Sequence, residues 1–277
     1  MGTRHKALLE PTHDLTTTAY FSHPAINRSS LSDLDRSPLH YWARHIDPTR
    51  IETRKDSPAL RFGTAVHTAV LEPERFEADY AEGPMASRST KAWKDAAAAS
   101  KATLLPPDEM VAIRSIVESL KSHDSARKAL FAGKGHNEAT FIATDRATGL
   151  ELKCRADRIT QADYIVDLKT TADASATAFG KSVHNFGYHI QAAFYMRCIE
   201  AATGTKPTGF AIVAVEKEPP YACQVFIASE SMLETGARKV DSLLSDLARY
   251  RDKYGSQKWP SYSDQPVELN LPHWAEK

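Results

Sequence analysis

Leu150-Glu151-Leu152-Lys153-Cys154-Arg155-Ala156-Asp157-Arg158-Ile159, followed shortly by Tyr164-Ile165-Val166-Asp167-Leu168-Lys169-Thr170, is the stretch on which the fold turns. Both segments alternate as strands do, so successive side chains point to opposite faces. In the first, Leu150, Leu152, Cys154 and Ala156 share one face, while Glu151, Lys153, Arg155 and Asp157 share the other. In the second, Tyr164, Val166 and Leu168 oppose Ile165, Asp167 and Lys169. A hairpin of the two places Asp157 beside Asp167. Neighbouring carboxylates repel unless a cation separates them. A divalent ion with hard-oxygen preference, Mg²⁺ or Mn²⁺, is the economical solution. Lys169, one step along the same face, can then orient or activate a water. The plainer alternative is a solvated sheet edge carrying an ordinary ion pair.

Working outward, a further strand is expected over 139–144, joined through the turn at 145–149 to the first of these segments. Downstream, a helix is expected from about Asn185 to Thr203, stopped by Gly204, then strands over 209–215 and 221–228 and a helix over roughly 231–250. Upstream, 59–71 reads as a helix ended by Pro73, with Phe62, Val66, Ala69 and Val70 facing the core. Helices are also expected from Pro107 to about Lys121 and over 126–131. Residues 83–106 show no clear period. Residues 1–27 read as a flexible N-terminal arm, 28–255 as one α/β domain, and 256–277 as an irregular tail.

The 277 residues carry 35 basic and 35 acidic side chains. This balance shows no general basic excess for nucleic acid, yet carboxylates at a metal site can cancel basic phosphate contacts in the sum. No apolar run approaches the ~20 residues of a membrane helix, and no secretory signal is visible. Cys154, Cys198 and Cys223 lie far apart, without metal-type spacing, which suits a reducing cytoplasm.

Two further motifs bear on the chemistry. Gly63-x-x-x-His67 places a glycine one helical turn before an imidazole that is either a metal ligand or a structural histidine. Tyr188, Gln191 and Tyr195 fall on one face of the expected helix, lining either an active site or a polar surface. Arg88, Lys91 and Lys94 around Trp93 offer phosphate contacts with a stacking ring, or a solvated basic face. Ser30 and Ser32 are helix caps or ligands for a terminal phosphate.

Taken together, Asp157-x9-Asp167-x-Lys169, the Gly63/His67 helix and the Tyr188/Gln191/Tyr195 helix resemble the PD-(D/E)xK nucleases of the RecB and lambda-exonuclease branch. Ala156 stands where the family name has proline. The stretch from Leu60 to Phe76, with Ser30 to Pro38 and Tyr188 to Gln191, is similar to RecE-type exodeoxyribonuclease domains; the likeness covers roughly residues 28 to 250. The resemblance implies an α/β restriction-endonuclease-like fold with a central mixed β-sheet flanked by helices. It implies Asp157, Asp167 and His67 as metal ligands, Lys169 as the water-activating residue, and Gln191 and Tyr188 as supporting groups. Tyr195 joins Arg88, Lys91, Trp93, Lys94, Ser30 and Ser32 as candidate DNA contacts.

The implied activity is a Mg²⁺-dependent 5′-to-3′ exonuclease, Mn²⁺ substituting, acting on the ends of double-stranded DNA in a bacterial, phage or prophage setting. A single-strand annealing protein of the RecT type is the implied partner, and a ring-shaped homo-oligomer, tetramer before trimer, the implied assembly. The alternatives are a RecB-like repair or defence endonuclease and a catalytically inactive DNA-binding protein of the same fold. Three scattered cysteines cannot supply the four thiolates of an iron–sulfur cluster.

Overall fold

The computed structural model describes residues 9–50 and 57–271. In chain order it forms α1 (Thr17–Ser22), α2 (Arg28–Arg36), α3 (Pro38–His45), α4 (Pro58–Leu71), α5 (Pro73–Asp79), β1 (Tyr80–Glu82), α6 (Lys91–Ala99) and β2 (Thr103–Leu105). There follow α7 (Pro107–Ser122), α8 (Asp124–Leu130), β3 (Gly135–Thr144), β4 (Glu151–Thr160), β5 (Tyr164–Thr171), α9 (Ala176–Asn185), α10 (Tyr188–Thr203), β6 (Gly209–Glu216), β7 (Cys223–Ile227) and α11 (Glu230–Tyr254). The main sheet has the order β3-β4-β5-β6-β7. Its β5 and β6 are parallel and the other neighbours antiparallel. This is the mixed sheet flanked by helices that the alternation and the resemblance led us to expect.

The parallel pair in the main sheet requires a crossover, and α9 and α10 provide it. The crossover seats α10 on one face, where Phe194 and Ile199 join Leu152, Ile165, Phe210 and Ile212 in a core closed by Leu244 and Leu247 of α11. On the other face Val166, Leu168, Val213 and Val215 pack beneath Val66, Val70, Ile113 and Ile116 of α4 and α7. Nearly all of β6 is therefore buried, as expected of a strand covered on both faces. Helix α11 lies tight against α10 at Gly236, where an added Cβ would clash with the His189 carbonyl oxygen. Arg197 of α10 meets Asp145 at 2.5 Å, tying this helix to the β3–β4 turn.

The described part of the N-terminal arm is structured, contrary to the sequence reading. Leu9 donates its N–H to Asp163, and Thr12 and His13 both donate theirs to the Thr140 carbonyl on the edge of β3. Ile26 exchanges main-chain hydrogen bonds with Glu151 and Lys153 of β4. The Lys153 ammonium is buried and lies 2.6 Å from the carbonyls of Tyr20 and His23. A polar composition hides this, because the segment is held by backbone hydrogen bonds and by a few scattered apolar residues, Leu9, Tyr20 and Ile26, that form no periodic stripe. The proposed tail boundary moves too: Trp259 is buried between Tyr41 and Tyr250, at ring distances of 5.4 and 5.5 Å.

Two other expectations fail in detail. Residues 83–106 contain α6 and β2, and β2 pairs in parallel with β1 just upstream of that stretch. The helix expected from Asn185 starts at Tyr188, because Gly187 adopts a left-handed φ of 64° that separates α9 from α10. Among the described residues no helix is long and apolar enough to cross a membrane.

Replacing Lys153 by Met strands the buried Tyr20 carbonyl and the half-buried His23 carbonyl, at a cost of about 1–3 kcal/mol for a fully buried group. Denaturant unfolding should show a loss of about 2 kcal/mol or more, and limited proteolysis should cut within 9–26 first. Wild-type stability and wild-type cleavage kinetics in this variant would contradict the anchoring role.

Candidate active site

The site begins where β4 and β5 part. Their ladder holds only Arg158 to Val166 and Ile159 to Ile165. Continued by one rung, that register sets Asp157 opposite Asp167. Beyond it the main-chain groups of Leu168 need new partners, since buried backbone polar groups are costly to leave unpaired. Asp157 Oδ2 accepts the Leu168 N–H at 2.7 Å, and the Leu168 carbonyl lies 2.7 Å from His67 Nε2. Two side chains thus replace the missing strand contact.

His67 is set by α4. Ser57 caps this helix by accepting the N–H of Leu60, and Pro58 opens it. Gly63, one turn before His67, offers its carbonyl to Nδ1 at 2.8 Å. Both ring nitrogens therefore face carbonyl oxygens, and Nε2 is also 3.3 Å from Asp157 Oδ2. Burial works against the imidazolium, but the charge and hydrogen bond of Asp157 outweigh it and raise His67 to about 9. In turn, burial pushes Asp157 up while His67 and Lys169 hold it below the usual carboxylate range.

Asp167 is 2% exposed. Its Oδ1 accepts from Gln191 Nε2 at 2.6 Å, and its Oδ2 is 2.6 Å from Lys169 Nζ. That second contact is an ion pair without hydrogen-bond alignment, which leaves Oδ2 buried and lacking an aligned donor. Burial and then the repulsion of Asp157 raise the Asp167 carboxyl, against the pull of Lys169. Burial disfavours the Lys169 ammonium, yet Asp167 and Asp157 keep it charged above its ordinary value. The Nζ stands 4.9 Å from the Tyr188 ring centroid.

Two carboxylates with an unaligned buried oxygen, one imidazole and the Leu168 carbonyl form a hard donor set suited to Mg²⁺ or Mn²⁺. As the side chains stand, His67 and the Leu168 N–H engage Asp157, Gln191 bonds one oxygen of Asp167 and Lys169 ion-pairs with the other, and no three metal-binding side chains among the described residues form a group able to hold an ion. The donor chemistry fits a divalent cation that would compete with these cationic partners.

His67 and Lys169 line a cleft of about 560 Å³, together with Gln191, Tyr188 and Tyr195 as the helical spacing led us to expect. The cleft also holds residues that sequence reasoning passed over: Tyr20 and Arg28 from the N-terminal segment, Arg155, and Glu138. Glu138 lies where the β3–β4 register points at Asp157, and its φ of 50° interrupts the ladder there. Burial, then Asp157 and Glu72, raise it to about 7. An acid in an otherwise neutral strand was the available signal.

The other candidates lie elsewhere. Trp93 is buried, packs over Gly83 and sits 5.3 Å under the Arg88 guanidinium. Arg88 is paired with Glu109 at 3.0 Å. The ring is thus core for the small β1–β2 unit and cannot stack a base; Lys91 and Lys94 are exposed on α6 and line no part of the cleft. Ser30 is buried within α2 and bonds the Asn27 carbonyl at 2.7 Å, because the true cap is Asn27. Ser32 is exposed and outside the cleft, which Asn27, Arg28 and Ser29 line instead.

Among solved structures, a provisionally assigned exonuclease from Eubacterium rectale is similar along nearly the whole chain. The two share 17% identity with a TM-score of 0.65, covering 95% of this chain and 98% of that one. A structure described as SSO0001 is 16% identical over 49% of this chain and 60% of that chain, and its TM-score of 0.29 is too low to bear on the fold. No curated protein matches.

Glu138 supplies a test of the site's electrostatics. Its raised pKa costs nothing below about pH 4.5, where it is protonated folded or unfolded, and costs most above about pH 7. In EDTA, Glu138→Gln should therefore stabilise the protein at pH 8 by about 1–2 kcal/mol after allowance for solvent screening, and leave it unchanged at pH 4. Equal stability of variant and wild type at pH 8 would show that neither burial nor the neighbouring carboxylates penalise the ionised Glu138.

The model of the PDDEXK-like domain of unknown function (DUF3799) matches residues 28–267, nearly all of the elements that build this cleft, and the chain belongs to that family within the PD-(D/E)xK nuclease superfamily.

Proposed function

We propose that the protein is a metal-dependent exodeoxyribonuclease of the RecE type, degrading one strand of linear duplex DNA from 5′ to 3′ and leaving a 3′ overhang for single-strand annealing. The observation that carries this reading is the cluster where β4 and β5 part, in which Lys169 and Gln191 hold Asp167 while His67 holds Asp157. Asp157, Asp167, His67 and the Leu168 carbonyl would hold Mg²⁺, with Mn²⁺ as a substitute. When bound, the ion would supply Lewis-acid polarisation of the phosphodiester and a more acidic water.

The chain's own groups do the rest. Lys169 stays charged in a water-poor site, so it can hold the attacking water and meet the negative charge that develops on the phosphoryl oxygens. Gln191 fixes the Asp167 carboxylate from behind, and Tyr188 confines the Lys169 side chain by its ring. The cleft volume lies in the ~300–1,000 Å³ range of sites for small ligands. It suits the end of one strand rather than a duplex, in keeping with hydrolysis from an end. A cyclic homo-oligomer, tetramer before trimer, would keep such an enzyme on its substrate, and a RecT-type annealing protein in a bacterial cytoplasm would take the overhang.

Incubation with linear blunt duplex, 5′-phosphorylated or not, and with closed circular duplex, each in Mg²⁺ or EDTA, tests the proposal. Shortening of linear DNA in Mg²⁺ with intact circles is the expected pattern. Digestion that persists in EDTA, or rapid nicking of circles, would overturn it. Lys169→Ala should lower the rate by about 10²-fold or more while duplex affinity in Ca²⁺ barely changes. A variant that cuts normally but binds poorly would make Lys169 a positioning residue.

A further inference from the structure

A second groove adjoins the catalytic cleft around the first turn of α10. Tyr188 and Gln191 face the cleft, while their neighbours His189 and Ile190 line the groove, with His184 from the end of α9 and Arg238 and Lys239 from α11. The two are linked by rings. Lys169 Nζ lies over Tyr188 at 4.9 Å, Tyr188 stacks with Phe186 at 5.7 Å, and Phe186 is 60% exposed at the α9–α10 corner. Past that corner the imidazoles of His184 and His189 stand parallel, at 4° and 6.2 Å.

The corner is built rather than loose. Arg28 donates to the carbonyls of Phe186 and Gly187. Gly187 is required there: its φ is 64°, and a Cβ would come within 2.4 Å of the Arg28 guanidinium. His189 Nδ1 is 3.4 Å from the Val183 carbonyl, which holds the second imidazole against α9. Solvent-facing rings close to cations, as Phe186 and His184 are to the groove of Arg238 and Lys239, are the chemistry of single-stranded nucleic acid binding, in which bases stack and phosphates meet Arg or Lys. Asp35 pairs with Lys239 in the groove and bears the one carboxylate lining it, so a phosphate would have to displace this pair.

We infer that Phe186, His184, His189, Arg238 and Lys239 form a track for unpaired DNA leading to or from the catalytic cleft. The identity of the polymer rests on the nuclease reading above. Phe186 stacks the base nearest the reacting phosphate, the two imidazoles stack those beyond it, and Arg238 and Lys239 hold the backbone.

Fluorescence anisotropy of a labelled oligothymidylate, in EDTA across a salt series, tests the track. Phe186→Ala should weaken binding by at least about fivefold. The double variant Arg238→Ala/Lys239→Ala should reduce the steepness of log affinity against log salt by about 1.4, for two phosphates on a single strand. The swap Arg238→Lys/Lys239→Arg keeps both charges and should retain the wild-type slope. Thermal melting of each variant separates lost contacts from lost folding. A wild type that fails to bind the oligonucleotide at low salt, or folded variants with unaltered affinity and slope, would overturn the track. Wild-type degradation of linear duplex is measured alongside. Active wild type with unaltered variants removes the track alone; inactive wild type with weakened variants removes the nuclease reading and leaves a DNA-binding groove.

Discussion

The early separation of β4 from β5 is the constraint on which the site depends. A longer ladder would have satisfied Leu168 with main-chain partners and left Asp157 as a side chain on a sheet face. Because the strands part, a carboxylate and an imidazole complete the backbone instead. The same gap lets α4, from the face that packs on Val166 and Leu168, reach Asp157 on β4. One break in a sheet thus recruits residues more than a hundred positions apart in the chain.

That arrangement concentrates charge in a place that disfavours it. Asp157, Asp167 and Glu138 are set against the two cations His67 and Lys169, with burial penalising every member. Removing any one member leaves its partner buried and uncompensated, which is where the cost of such clusters lies. Gln191 adds no charge but consumes one carboxylate oxygen, so Asp167 keeps a single orientation. Groups held this rigidly suit transition-state stabilisation, because little reorganisation is needed when charge develops.

The segment 9–26 completes the sheet as much as it lines the cleft. Its residues take the open edges of β3 and of the unpaired part of β4, places where free N–H and C=O groups would otherwise invite another chain. Lys153 and Arg155 secure it through carbonyls and through the Tyr20 ring, at 4.8 and 4.5 Å. In doing so the segment delivers Tyr20 to the cleft wall, just upstream of Arg28 at the start of α2. Structural closure and site construction are here one event.

The sequence by itself determined the strands of 150–169, the common face of Asp167 and Lys169, and the turn-apart placement of Gly63 and His67. Alternation and helical spacing are local, and each element must bury its apolar side whatever its neighbours do. The helical face of Tyr188, Gln191 and Tyr195 was legible for the same reason. What lay outside that reach was which surface each element covers. Trp93 and its cations looked like a nucleic-acid contact, yet the ring closes a small core against Gly83. Ser30 looked like a cap, but Asn27 had already started the helix. Glu138 enters the site through register across the β3–β4 ladder, and residues 9–26 through backbone hydrogen bonds that leave no apolar period. Only the tertiary structure decides these, because pairing partners and buried backbone groups belong to contacts between distant segments.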